Sequence, residues 1–277
     1  AMSVSSSHNG VEKRHLEGQK ERQLAIAEMV IKQGTISVED LAALTGVSSM
    51  TIYRDVASLE ESGVLQRHRG QVVAVASGLH EADAEFRVEQ SSQEKQWVAA
   101  KAGQLVTPGS SIMLDDSSSA VWLLRSLADL SSVSVVTNSL LVANEVAENR
   151  STKLFVTGGE YQAWAHALMG PTVVQNVRAM HADICFLSAS GISDLACFHP
   201  YQEVVEVKRA MLESAEVRVL LLDHTKFHRR ALFKFADLTE FDHVVLDSGT
   251  PQAQIDELTD AGVQLMIADD PRSESSL

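Results

Sequence analysis

The feature that most narrows the possible folds is a rhythm in the last two thirds of the chain. Between residues 95 and 270, short apolar runs alternate with stretches of helical spacing. The runs are SIMLD, VSVVT, KLFVTGG, DICFLS, VRVLLLD, HVVLD and VQLMIA. The stretches between them include 95–105, 120–130, 139–147, the segment VVEVKRAMLESA and 252–261. A strand apolar on both faces must be covered on both, and a parallel neighbour requires a helical crossover. The rhythm therefore predicts an α/β domain over 95–270, a mostly parallel sheet with helices on either side.

The front of the chain has a different grammar. Leu24, Ile26, Ala27, Val30 and Ile31 recur at helical spacing from residue 22 to residue 33, and Gly34 is a stop. In TISVEDLAALTG, Ser37 followed by Asp40 is a capping-box start, with Leu41 and Leu44 turned inward. Gly46 breaks the chain, and Ser48 or Ser49 caps a third helix, on which Ile52, Val56 and Leu59 form one apolar stripe. Gly63 ends it, and VLQRHRGQVVAVA reads as two short strands around Arg69-Gly70. Helix, short helix, turn, helix, hairpin within about sixty residues is the winged helix-turn-helix order. Residues 20–76 are thus expected to bind double-stranded DNA. Residues 1–20 are a polar lead-in without a core pattern, and 77–94, SGLHEADAEFRVEQSSQE, read as a polar linker.

The apolar stripe turns Met50, Arg54 and Ala57 outward at the start of the third helix. Arg54 is the reader of a guanine edge, with Ser48, Ser49, Thr51 and Tyr53 placed for phosphate or base-edge contacts. Arg67, His68 and Arg69 put positive charge on the wing. The alternative for Arg54 is a pair with Asp55 or Glu61 on a solvated face; its position within a complete module favours DNA.

A net charge of −14 looks wrong for a DNA binder until it is divided. Residues 11–76 hold eight Lys/Arg against nine Asp/Glu, a net of −1, which leaves −13 on the rest. Such a module relies on a few well-placed cations and on two copies acting together. No run approaches the roughly 18 apolar residues of a membrane span, and AMSVSSSHNG has no secretory apolar region. Cys185 and Cys197 lack CxxC spacing, so neither a disulfide nor zinc is expected and a reducing cytoplasm fits. His199 in CFHPYQE lacks ligand spacing and reads as a packed histidine. No metal or cofactor is expected.

Ligands of open α/β sheets bind beyond the carboxyl ends of the strands. Five motifs fall at such ends: 115–119, 137–139, 158–160, 190–191 and 223–226. Ser117, Ser118 and Ser119, at the start of a helix, suit an anionic head group. Lys226 adds a point charge, and Asp115 and Asn138 suit sugar hydroxyls. The bland alternatives are a cap for Ser117, a turn for Gly158-Gly159 and a surface pair for Asp223 with Lys226. Glu206 and Lys208, two apart on a helix, diverge by about 200° and cannot both face one ligand. An isomerase-like enzyme would need a base, for which Asp115, Asp116 and Glu206 are candidates, but no dedicated acid/base pair stands out. A protein-interaction module has only the acidic charge in its favour.

These strings together resemble the DeoR family of bacterial sugar-metabolism regulators over nearly the whole chain. VSSMTIYRDVASLEESGVLQRHRG matches the family's DNA module, apart from Tyr53 where arginine is usual and Arg69-Gly70-Gln71 in place of a Gly-Gly wing turn. Tyrosine cannot make arginine's paired guanine contact. KQWVAAKA, LDDSSSA, VVTNS, TGGEY, SASGIS, EVKRAML and DHTKFH follow in the family's order. The resemblance implies an effector domain with the fold of ribose-5-phosphate isomerase but without its catalysis. It also implies a small sugar-derived effector, phosphorylated or otherwise anionic, that relieves repression, and a homo-oligomer, dimer or tetramer. Its effector residues would include Gly158, Gly159, Gly191, Asp223 and Lys226, with Lys208 rather than Glu206 near the pocket. Serine at 117, where the family commonly has glycine, leaves room for an acidic sugar without phosphate.

Overall fold

The computed structural model describes residues 18–75 and 80–272. Residues 1–17, 76–79 and 273–277, which include most of the polar lead-in and the start of the linker expected from residue 77, lie outside these residues. The chain divides into two compact units, Ala1–Ala76 and Ser77–Leu277.

In the first unit, α1 (Gln19–Gln33), α2 (Val38–Thr45) and α3 (Ser49–Glu61) pack around Ile26, Val30, Leu41, Ile52, Val56 and Leu59, all buried. Leu44, expected inside, is half-buried. Ser37 caps α2 by accepting from the Asp40 amide, and Gly46 closes it in the left-handed conformation. Ser48 caps α3 by accepting from the Thr51 amide. β2 (Leu65–His68) and β3 (Gln71–Ala74) form the wing, and β1 (Thr35–Ser37), which three residues were too few to announce, pairs with β3. Arg69 and Gly70 both have positive φ, 50° and 78°, as a two-residue primed hairpin turn demands.

The second unit is built on a seven-stranded parallel sheet. Its strands are β4 (Ser111–Leu114), β5 (Ser134–Thr137), β6 (Lys153–Val156), β9 (Ala182–Leu187), β12 (Ala215–Leu222), β14 (His243–Asp247) and β15 (Leu265–Ala268). Their order is β15-β14-β12-β9-β4-β5-β6. Alternate side chains serve two cores. Ile112, Leu114, Ile184 and Phe186 meet α5 (Ser92–Gly103), α6 (Ser118–Ser126) and α7 (Leu140–Ala147). Met113, Cys185 and Leu187 meet α8 (Pro171–Arg178) and α9 (Gln202–Glu213), with α10 (Gln252–Asp260) contributing Leu258. Each large apolar side chain so buried contributes about 1.5–3 kcal/mol.

Smaller elements sit around this sheet: the hairpin of β7 (Glu160–Gln162) and β8 (Ala167–Met169), and an antiparallel sheet of β10 (Gly191–Ser193), β11 (Ala196–His199) and β13 (Phe233–Asp237). The chain runs β4, β5, β6 to one edge, then returns to lay β9 against the other side of β4. The order reverses between β4 and β9, and sheets of this kind take ligands in the crevice beyond the carboxyl ends of such strands.

The linker reading of 77–94 does not hold over its described part. Ala84–Glu89 is a helix, α4, and α5 begins at Ser92. Glu81, Arg87, Val88 and Lys95 are buried. Polar composition suggested solvent, but these charges are matched by groups far along the chain.

Candidate functional site

The face of α3 turned away from its core carries the side chains singled out for DNA. Ser48, Ser49, Met50 and Arg54 are exposed, and Thr51 and Tyr53 half-exposed. Arg54 makes no ion pair with a described residue. Asp55, offered as its partner, is buried on the opposite side and held by Arg22, Nε to Oδ2 at 2.5 Å. On the wing, Arg67, His68 and Arg69 are exposed. The Arg67 guanidinium lies 5.1 Å from the centre of the Tyr53 ring, within cation–π range. Tyr53 thus places a wing arginine beside the exposed face of α3.

In the second unit, Asp115, Asp116, Ser188 and Lys208 meet at the carboxyl ends of β4 and β9. The Asp115 carboxylate is almost fully committed: Oδ1 accepts from the Ser117 amide, and Oδ2 from the Ser188 amide (3.0 Å) and from Lys208 Nζ (2.5 Å). Lys208 Nζ also lies 3.7 Å from Asp116 Oδ1. Burial pushes the Lys208 pKa down, but Asp115 and Asp116 outweigh it and hold the ammonium above its ordinary value. Glu206 is exposed on the other face of α9, so the two-residue offset keeps it out of the crevice. Asp115 is spoken for and Glu206 points away, which leaves an isomerase reading without two of its three candidate bases.

Ser117 is a helix cap, its hydroxyl accepting from the Ala120 amide, and Ser118 and Ser119 begin α6, both buried. Asn138 is fully buried and donates to the Leu168 carbonyl (2.9 Å). Three buried side-chain oxygens have no hydrogen-bond partner among the described residues: Asp116 Oδ1, Asn138 Oδ1 and Thr157 Oγ1. They follow β4, β5 and β6, three adjacent strands. Gly159, at φ 140°, has its α-carbon against Val173 and the Met169 backbone, so its role in the structure is close packing. Gly191 lets β10 approach the backbone of Arg229, three residues from Lys226.

Asp223 caps a short 3-10 turn, His224–His228, by accepting from the Thr225 amide. It is buried, as is Lys226, so the two are not a surface pair. The Lys226 ammonium makes no hydrogen bond with a described residue. Burial and then Arg229 lower its pKa to about 8, against the pull of Asp223 and Glu81. His199 is also buried, and burial takes its pKa down to about 3. Its Nδ1 accepts from the Tyr201 amide, so the neutral ring carries its proton on Nε2.

Sequence reasoning missed Glu81, Arg87, Lys95, Thr157 and Ser188. Thr157 had a signal, since it ends a strand beside two with strand-end motifs; Glu81 and Arg87 lay in the stretch read as a linker, and Lys95 just beyond it, at the start of the expected α/β domain. Cys185 and Cys197 are free and buried, burial pushing the Cys185 thiol up to about 12. Among the described residues no group of His, Cys, Asp and Glu is arranged to hold a metal, and no helix is long and apolar enough to cross a membrane.

Residues 22–77 match the DeoR-like helix-turn-helix domain, and residues 90–248 the DeoR C terminal sensor domain. The HTH-type transcriptional regulator YgbI of Escherichia coli (strain K12) is 30% identical, over 90% of this chain and 97% of its own. The glycerol-3-phosphate regulon repressor of the same strain is 29% identical, over 90% and 99%. Among solved structures, ribose 5-phosphate isomerase A from Methanocaldococcus jannaschii aligns at 19% identity over 50% of this chain and 55% of that one, with a TM-score of 0.37. Two family domains matched in order, on a winged helix and a parallel sheet, make this chain a member of the DeoR family: a DNA-binding transcriptional regulator, not an enzyme.

Proposed function

We propose that the protein represses a carbohydrate-catabolism operon and releases its operator when a small, anionic, sugar-derived effector binds at the β4/β9 crevice. One observation supports the effector half: a row of buried oxygens without a hydrogen bond among the described residues, on Asn138 and Thr157 and on Asp116, whose only described partner is the Lys208 charge at 3.7 Å. A buried polar atom without a partner costs about 1–3 kcal/mol, and a ligand's hydroxyl groups would remove that cost. Asp115, aligned by Lys208, sets the loop that leads into Ser118 and Ser119 at the start of α6, where a helix favours negative charge. Lys226, with an ammonium free to donate, supplies a point charge beside it. Asp223 and Gly191 hold that lysine's loop in place. Gly158 and Gly159 shape the wall after β6.

For DNA, Arg54 is the base reader, Ser48, Ser49 and Thr51 the phosphate contacts, and Arg67 (braced by Tyr53), His68 and Arg69 the wing. A near-neutral module binds weakly alone, so two modules on a homo-oligomer would share a palindrome. The edge strand β6 suits the subunit contact. It exposes Phe155 and Val156, with Tyr161 nearby in sequence on β7, and an apolar unpaired edge invites pairing.

The test is a thermal-shift screen of the full chain against sugar phosphates, sugar acids and neutral sugars, followed by operator release. A ligand at 100 times its Kd should stabilise by about 2.7 kcal/mol. Stabilisation by neutral sugars alone would overturn the anionic assignment.

A further inference from the structure

The cationic end of this crevice already contains a carboxylate, that of Glu81. The side chain is buried. Oε2 accepts from the Ser190 hydroxyl and lies 3.9 Å from His199 Nε2, while the Glu81 amide donates to the Tyr201 hydroxyl at 3.2 Å. Burial pushes the Glu81 pKa up, but the charges of Arg87, Lys226 and Arg229 outweigh this and hold the carboxyl below its ordinary value. The neutral imidazole described above makes His199 a neighbour rather than an ion-pair partner.

The cradle offers more than Glu81 uses. Arg87 donates through Nε to the Ala82 carbonyl, but its buried Nη2 donates to nothing among the described residues. Lys226 likewise has an undirected ammonium. Lys95, by contrast, is satisfied by the carbonyls of Arg87 and Gln90. Surplus donors around a single carboxylate suit a group with more oxygens or more charge. This subsite adjoins the Asp115 cluster, since Ser188, which binds Asp115, and Ser190, which binds Glu81, share the loop after β9. The position of Glu81 in the chain matters equally, because it lies seven residues beyond Ala74, the last residue of β3.

We propose that Glu81 is an internal occupant of an anion subsite formed by Ser190, Lys226, Arg87 and Arg229, and that the anionic group of the effector, phosphate or carboxylate, takes the subsite by expelling it. The inference rests on the sensing reading above. Expulsion releases Glu81, which follows the last strand of the wing by seven residues in sequence, and this gives ligand binding a route to DNA binding. Occupation by Glu81 and occupation by ligand exclude one another, as a two-state coupling requires.

The experiment uses the full chain with inorganic phosphate as one probe and acetate as the other, by calorimetry at pH 7. If the expelled state is a minor one, removing the internal charge in E81Q raises phosphate affinity by about tenfold or more. Adding K226M to E81Q abolishes the gain. In the unmutated chain, phosphate speeds hydrogen exchange of the peptide covering residues 80–90, because the Ala82 amide, which donates to Glu81 Oε1 at 3.2 Å, and the Glu81 amide lose their partners. That measurement decides the matter even if E81Q fails to fold. A response to acetate but not phosphate identifies the carboxylate as the group recognised. Equal or weaker anion binding by E81Q, or exchange at 80–90 that slows on adding phosphate, overturns the proposal. If K226M alone still weakens phosphate binding, the sensing pocket stands and only the role of Glu81 falls. No anion binding by any of these proteins also overturns it.

Discussion

The two units treat their candidate contact residues differently: one exposes them and the other buries them. In the winged unit Ser48, Ser49, Arg54 and Arg69 are exposed and the core beneath them is apolar, save for Thr45 and for Asp55 with its Arg22 pair. In the sensor unit Asp115, Asn138, Lys208, Asp223 and Lys226 are buried, so the candidate site is part of the core. A surface reader can be altered without touching the fold, whereas a buried sensor cannot. The same class of substitution, a cation replaced by a neutral residue, should therefore have opposite signatures in the two units.

The largest effect is expected at Lys208. Lys208→Met leaves Asp115 and Asp116 buried without their counter-charge, and breaking such a pair costs about 3–5 kcal/mol. Urea denaturation reads it, and adding Asp115→Asn should recover part of the loss. An unshifted midpoint would show that the crevice is wetter than its burial indicates. Asp55→Ala makes the comparison within the winged unit. It removes a charged hydrogen-bond acceptor from Arg22 and should cost about 1.5–3 kcal/mol, less than Lys208 because Arg22 can reach solvent. A loss equal to that of Lys208→Met would erase the distinction between the units.

Arg54→Ala sharpens it from the other side. Stability should stay within about 0.5 kcal/mol of the parent, while discrimination between operator and random DNA falls by about 1–3 kcal/mol. A folded variant that still discriminates would move the reading face elsewhere.

Titration offers a subtler test. Lys226 faces Glu81, Asp223, Arg229 and Arg87, and its pKa is depressed to about 8 in the fold. Its charge is present below that pH and lost above it. Affinity for an anionic effector should thus be flat below about pH 8 and fall above it, by at most about 1.4 kcal/mol per unit. In the absence of ligand the unfolded chain holds this proton more tightly between about pH 8 and its ordinary range, so the lysine's unfavourable burial is relieved as pH rises. Anion affinity that is level through pH 9 would remove Lys226 from the site.

How much of this was legible in the sequence follows the same division. The recognition helix could be read because its stripe of Ile52, Val56 and Leu59 and its Ser48 cap are local, within a dozen residues. The parallel strands could be read from apolar runs, and the strand-end motifs from their position after them. The buried charges could not. Glu81 and Arg87 look like solvated linker residues until Ser190, 109 positions from Glu81, comes beside the Glu81 carboxylate. The small strands β7, β8, β10 and β11 are three or four residues each, too short for a period to register. The helix α8 did have a signal, proline in its first turn and Val173 and Val177 four apart.

The smallest expected effect is at the wing. Arg69 holds a left-handed conformation at φ 50°, a strain of about 1–2 kcal/mol for a residue with a side chain. Arg69→Gly relieves it but adds freedom to the unfolded chain, leaving a net gain of about 0.5–1 kcal/mol. The salt slope of operator binding should drop by about one. An unchanged slope would mean that the wing tip does not meet phosphate.

The return of the chain from β6 to β9 also sets a timetable for synthesis. β4, β5 and β6 leave the ribosome first, and the Ser188 amide that locks Asp115 is made 73 residues after it. At about 5–20 residues per second, one edge of β4 waits for several seconds, although Ile112, Met113 and Leu114 are all to become fully buried. An open apolar edge is sticky, and closing it is a long-range step that local pairing cannot hasten. The crevice is therefore complete only when the sheet is. A nascent or truncated chain ending before β9 can present a finished winged helix with no sensor to govern it.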